Sequence, residues 1–153
     1  MTSGANMLVG FDLDGVIYPD IKPGSFYHYL NIRNEIYPIF NPSEMSFDSV
    51  IITARPKCDM VYTKRHLREH GINVTIIHPD TDEILTKEEA ATFKRLKCHE
   101  IGVDLYIESS RQIADLINHE NKHKIAYTIF DMIGEGIEKT FKLSGNDRTD
   151  TNR

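Results

Sequence analysis

Asp12 and Asp14 close a short apolar run, Leu8-Val9-Gly10-Phe11, and Gly15 follows at once. A strand projects alternate side chains to one face, so the carboxylates leave it on the same side. Gly15 permits the sharp turn that carries the backbone away. Two anions held this close repel each other unless a cation or a shared proton relieves them. The pattern points to a divalent metal and to acid–base chemistry. The same letters also fit an Asp-Gly turn closing a hairpin, so the choice rests on what the rest of the chain supplies.

The elements that must position these acids alternate in type. Met7 to Phe11 reads as a strand, and Lys22-Pro23-Gly24 as a turn or flap. The apolar and aromatic stretch from Phe26 to Pro38 reads as a short helix, broken at Asn41-Pro42-Ser43. Ser49-Val50-Ile51-Ile52-Thr53 is a β-branched run of the kind buried on both faces of a parallel sheet. A helix from Cys58 to His70 ends at Gly71, and Asn73 to Ile77 is the next strand. Thr86-Lys87-Glu88-Glu89 is a capping box opening a helix to about Glu100, which Gly102 ends. Val103 to Ile107 reads as a strand, Ser110 to Asn121 as a helix and Lys124 to Phe130 as a strand. The polar tail from Ser144 to Arg153 has the composition of a disordered segment. The sequence predicts one folded domain over residues 1–143 followed by that tail, with no repeats and no second domain.

Strands alternating with helices predict an α/β fold, a three-layer α/β/α sandwich around a mainly parallel, Rossmann-like sheet. Such sheets bind ligands beyond the carboxyl ends of their strands. The residues expected at that rim are Asp12 and Asp14, Thr53 and Arg55, His78 and Asp80, Glu108 and Ser109, and Asp131. Hydroxyls, carboxylates and cations on one rim suit a phosphate-handling, metal-dependent site better than a small apolar ligand.

Composition sets wider bounds. At 153 residues, 40% hydrophobic and 27% charged, the chain has an ordinary globular make-up. A net charge of −5 argues against a mainly electrostatic nucleic-acid binder and leaves room only for a local basic groove. No apolar run is long enough to span a bilayer, so no membrane partner is expected. Met1 to Asn6 has neither the basic start nor the apolar core of a signal peptide. Cys58 and Cys98 are too few for a disulfide framework, which predicts a reducing, cytoplasmic setting.

Four segments together resemble the motifs of the haloacid dehalogenase superfamily, in the form met in its phosphatases. Phe11-Asp12-Leu13-Asp14-Gly15-Val16 resembles the first motif and Ile51-Ile52-Thr53-Ala54-Arg55-Pro56 the second. Thr92-Phe93-Lys94 resembles the third, and Asp104-Leu105-Tyr106-Ile107-Glu108-Ser109-Ser110 the fourth. They occur in order between the expected elements and cover roughly residues 7 to 131. The resemblance implies a hydrolase that forms an aspartyl-phosphate on Asp12. Asp14 would act as general acid and then general base. Thr53, with the neighbouring Ala54 amide, would hold a phosphoryl oxygen, and Lys94 would offset the charge of Asp12 and the phosphate. The implied cofactor is Mg²⁺, held by Asp12, Asp14 and Glu108. The implied function is Mg²⁺-dependent phosphomonoester hydrolysis of a phosphorylated substrate, including a nucleotide or a nucleic-acid end. No cap domain is visible between the motifs, so the cap is minimal and the site open.

Two points stay open at the level of sequence. Lys87, Lys94 and Lys97 share one broad helix face, and Lys87 lies nearer the rim because a helix rises ~1.5 Å per residue. Relatives often carry tandem acids where this chain has Glu108-Ser109, so the metal site is short of one carboxylate. That departure favours, as the alternative, a non-catalytic or regulatory phosphate-binding protein. The remaining candidates read more plainly. Arg55 reads as a surface or capping-region arginine. His66, His70, His78, His99, His119 and His123 read as surface histidines, with His78 placed to meet a leaving group. Cys58 lacks a catalytic partner, and Tyr27, Tyr29 and Tyr37 read as core rather than as a stacking platform.

Overall fold

The structure is a computed structural model and describes residues 6–20, 37–119 and 121–132. Its centre is a five-stranded, wholly parallel sheet. Strands β1 (Leu8–Phe11), β2 (Asp48–Ile52), β3 (Thr75–Ile77), β4 (Leu105–Glu108) and β5 (Ala126–Thr128) lie in the order β3-β2-β1-β4-β5. Among the described residues, three α-helices connect them: α1 (Met60–Glu69), α2 (Lys87–Ile101) and α3 (Arg111–His119). β1 is central, pairing Phe11 with Ile51 on one side and with Ile107 on the other. Asp12, which follows β1, is therefore flanked by Thr53, which follows β2, and by Glu108, the last residue of β4.

Alternation along the strands divides the core into two layers. Val9, Phe11, Ile51 and Ile107 pack on one face with Leu67 of α1 and with Leu13, Val16, Ile17 and Tyr18. Val50, Ile52, Tyr106 and Ala126 pack on the other with Ala91 and Cys98 of α2 and Ala114 and Ile117 of α3. Helices thus cover both faces, the arrangement expected for all-parallel sheets. Gly10 has a specific task on the second face. A Cβ there would lie 2.9 Å from the Tyr106 ring, so its absence lets that ring lie against the central strand.

The elements agree with the sequence pattern and differ at their ends. The helix expected from Cys58 begins as a 3₁₀ turn, Lys57–Asp59, before α1. Thr86 and Glu89 form the reciprocal capping box that opens α2. β4 starts at Leu105, after Asp104, whose carboxylate accepts from Leu8 N at 2.9 Å. β5 stops at Thr128 because Asp131 folds back to accept from Thr128 N at 3.0 Å, starting a helical turn where a strand to Phe130 is expected. Most of the expected helix over 26–38 and all of the expected tail over 144–153 lie outside the described residues, as do Tyr27 and Tyr29; Tyr37 and Pro38 are not helical. Among the described residues, no helix is long and apolar enough to cross a membrane.

Candidate functional site

The site grows from the turn after β1. Asp12 N extends the ladder to Ile107 O at 2.9 Å. Leu13, Val16 and Ile17 then plug the core, and Leu13 O accepts from Ile17 N and Tyr18 N at 3.0 Å each. Gly15 turns the chain at φ +84, where a side chain would be strained and its Cβ would come within 2.6 Å of Ser109 Cβ. This anchored turn presents Asp12 almost buried, and Asp14 with its side chain 30% exposed.

The acids leave the turn toward different partners. Asp12 faces α2 and the end of β4. Its Oδ1 accepts from Lys94 Nζ at 3.1 Å and from Leu13 N at 2.9 Å, while its Oδ2 accepts from Ser109 Oγ at 2.8 Å and Ser109 N at 3.4 Å. Asp14 faces the loop after β2, where Arg55 grips both carboxylate oxygens, Nε to Oδ2 at 2.9 Å and Nη2 to Oδ1 at 2.5 Å. The repulsion expected of the pair is thus relieved within the chain, with one cation for each acid.

Lys94 is the lysine that reaches the site. It lies on the buried face of α2 with Ala90, Ala91 and Cys98, donates to Glu108 Oε1 at 2.6 Å as well as to Asp12, and sits over the Tyr106 ring. Lys87 instead donates to Gln112, and Lys97 to Glu100 at 3.0 Å, both on the exposed side. Burial opposes the charge on Lys94, but the Asp12 and Glu108 carboxylates outweigh it and hold the ammonium above its usual range. Burial is also the main influence on Asp12, raising its carboxyl; Lys94 pulls it down and Glu108 pushes it up.

The second motif has a structure that its letters do not show. Thr53 is buried, and its hydroxyl oxygen accepts from Arg55 N at 3.1 Å, leaving the hydroxyl proton to donate elsewhere. Ala54, between them, is half-buried. Arg55, expected at the surface, is buried. Nη1 donates to Thr63 Oγ1 at 2.9 Å and lies 3.7 Å from Asp59 Oδ2, and the guanidinium stands over the Tyr18 ring. His66, also expected at the surface, is half-buried with Nδ1 2.8 Å from the Tyr18 hydroxyl. His78 Nδ1 turns to Pro79 O at 2.8 Å, and Asp131 pairs with Arg111, so neither reaches the acids through these contacts. Cys58 is exposed.

Ser109, noted in the sequence for the acid it lacks, is a direct partner of Asp12. The set Asp12, Asp14 and Glu108 does not converge on one cation: Asp12 and Glu108 share Lys94, whereas Asp14 is held by Arg55. Glu108 is fully buried, with Oε1 accepting from Lys94 and from Tyr106 OH at 3.4 Å, and Oε2 from Ser110 N at 2.9 Å and Ser109 Oγ at 3.3 Å. Asp14 is occupied by Arg55. Among the described residues, no three of His, Cys, Asp and Glu are grouped to hold a metal ion. The donor set therefore does not fit a protein-built Mg²⁺ cage, and the positive charge beside Asp12 and Asp14 is that of Lys94 and Arg55.

Searches against models of known protein families and against curated proteins give no match to the chain.

Proposed function

We propose that the protein is a phosphomonoester hydrolase of the haloacid dehalogenase type, acting through an aspartyl-phosphate on Asp12. The observation that carries this reading is the Asp12 carboxylate at the rim of the central strand, held by Lys94 on one oxygen and by Ser109 on the other. A carboxylate attacks a phosphate anion poorly unless charge is neutralised and the attacking oxygen is fixed. Here both conditions are supported by side chains already in place. Thr53 has a hydroxyl proton to give to a phosphoryl oxygen, and Asp14 stands at the more exposed side, where a leaving group and then a water would arrive. Mg²⁺ would act here as an activator held together with the substrate phosphate, since the described carboxylates do not group to hold it alone.

The test is phosphate release from p-nitrophenyl phosphate by wild type, Asp12→Asn and Lys94→Met, with and without Mg²⁺. Release by wild type that both substitutions abolish supports the hydrolase; release that survives Asp12→Asn overturns it.

The internal pairing of all three acids favours a second reading, a phosphate-binding protein without turnover. It requires that inorganic phosphate bind, by ³¹P line broadening, while no substrate is hydrolysed.

A further inference from the structure

Arg55 is the best-fixed charged side chain near Asp14. Its side chain is 7% exposed against 30% for that of Asp14. It is held from behind by Thr63 Oγ1, which itself donates to Asp59 O at 2.9 Å, and its own backbone N–H is tied to Thr53. The pair is therefore asymmetric, with the arginine as the support and the carboxylate as the part presented outward. A planar guanidinium engaging both oxygens fixes the plane and the direction of a carboxylate, which a single ammonium donor does not. It offers only donors, so the carboxylate it holds keeps two accepting oxygens.

We infer that Arg55 is a positioning residue for the second half of the reaction, aiming Asp14 at the water that hydrolyses the aspartyl-phosphate. This inference rests on the hydrolase reading above. In that step the water oxygen forms a new bond to phosphorus. The bond from phosphorus to the Asp12 oxygen breaks, with its electron pair returning to the Asp12 carboxylate. The water proton passes to Asp14, and orthophosphate leaves. The first half with p-nitrophenyl phosphate needs little help from Asp14, because nitrophenolate departs without a proton. Misaiming Asp14 therefore slows only the second half, and a misplacement of about 1 Å costs on the order of 100-fold.

The experiment follows p-nitrophenol release and the intact mass of the quenched protein for wild type, Asp14→Asn, Arg55→Met, Arg55→Lys and Thr63→Val. Circular dichroism is recorded for each. Expected for Arg55→Met and Arg55→Lys is a burst of about one equivalent followed by a steady rate lower by on the order of 100-fold, with one phosphoryl group retained on the protein. Because the first half is spared, kcat falls while kcat/KM is nearly kept. Thr63→Val keeps the guanidinium and removes one of its supports, so it gives the same pattern more weakly even if Arg55→Met fails to fold. Asp14→Asn labels as the Arg55 variants do. If Asp14→Asn accumulates phosphoenzyme while folded Arg55 and Thr63 variants lose rate without it, Arg55 is structural and the inference falls alone. If no variant is labelled and wild type releases no phosphate, the hydrolase reading falls and takes the inference with it.

Discussion

Lys94 Nζ lies 3.1 Å from Asp12 Oδ1 and 2.6 Å from Glu108 Oε1, so one ammonium bridges the ends of the two adjacent central strands. All three side chains are buried, and removal of the cation leaves two carboxylates facing each other in a medium that solvates neither.

Lys94→Met is expected to destabilise the fold by about 3–5 kcal/mol in urea melts and to lower phosphate release by about 100-fold or more. Lys87→Ala and Lys97→Ala, both on the exposed side, are expected to stay within about 0.5 kcal/mol of wild type. Equal effects at all three lysines would contradict the assignment of Lys94.

In the metal-free protein the contribution of Asp12 to stability is expected to decline as pH rises from about 4 to about 6. Burial raises the Asp12 carboxyl from its ordinary value of 3.8 to about 6 in the folded protein. Between these values the folded state binds more protons, so stability declines through the window and this contribution levels off above it. In Asp12→Asn that decline is absent. Urea midpoints in EDTA across this range, compared for the two proteins, check the sign.

Calorimetry of Mg²⁺ into the protein without phosphate is expected to show weak binding, since Glu108 and Asp14 are occupied by internal partners. Micromolar affinity would mean that one of them exchanges Lys94 or Arg55 for the ion. Mg²⁺ is most often held by a few carboxylates together with substrate phosphate, so adding orthophosphate is expected to tighten it.

Gly15→Ala is expected to cost more than about 1 kcal/mol, because the position is left-handed. The new Cβ also falls 2.6 Å from Ser109 Cβ, so it pushes the Ser109 hydroxyl away from Asp12. Thermal melts give the first effect. The second appears as a loss of phosphate release, compared with Gly102→Ala, where an added Cβ meets nothing within 4 Å.

Much of the architecture was legible because its signals are local. The β-branched run of β2, the capping box at Thr86 and the abrupt stop at Asp12 each carry their own cause. The three lysines could have been separated on one further observation. Ala90, Ala91 and Cys98 are small and flank Lys94 on both sides along the helix face, whereas Lys87 begins the helix and Lys97 lies one step off it. Arg55 was not legible in this way. Its burial depends on Asp14, Thr63 and Asp59, which come from the β1 turn, α1 and the 3₁₀ turn before it, and no spacing within one element announces such a meeting. Ser109 was expected at the rim, but its pairing with Asp12 was not legible, because a hydroxyl's value depends on the atom it faces.

Gly10 and Tyr106 also constrain how this chain can change over generations. The ring of Tyr106 lies against the glycine, its hydroxyl reaches Ile52 O at 3.0 Å, and its face lies beneath Lys94. A methyl group at position 10 is accommodated only after the ring at 106 has been replaced by something smaller, and that replacement removes the floor under the lysine. Substitutions at positions 10, 106 and 94 therefore form an epistatic set in which order matters, and a lineage that keeps the lysine keeps the glycine two residues before Asp12.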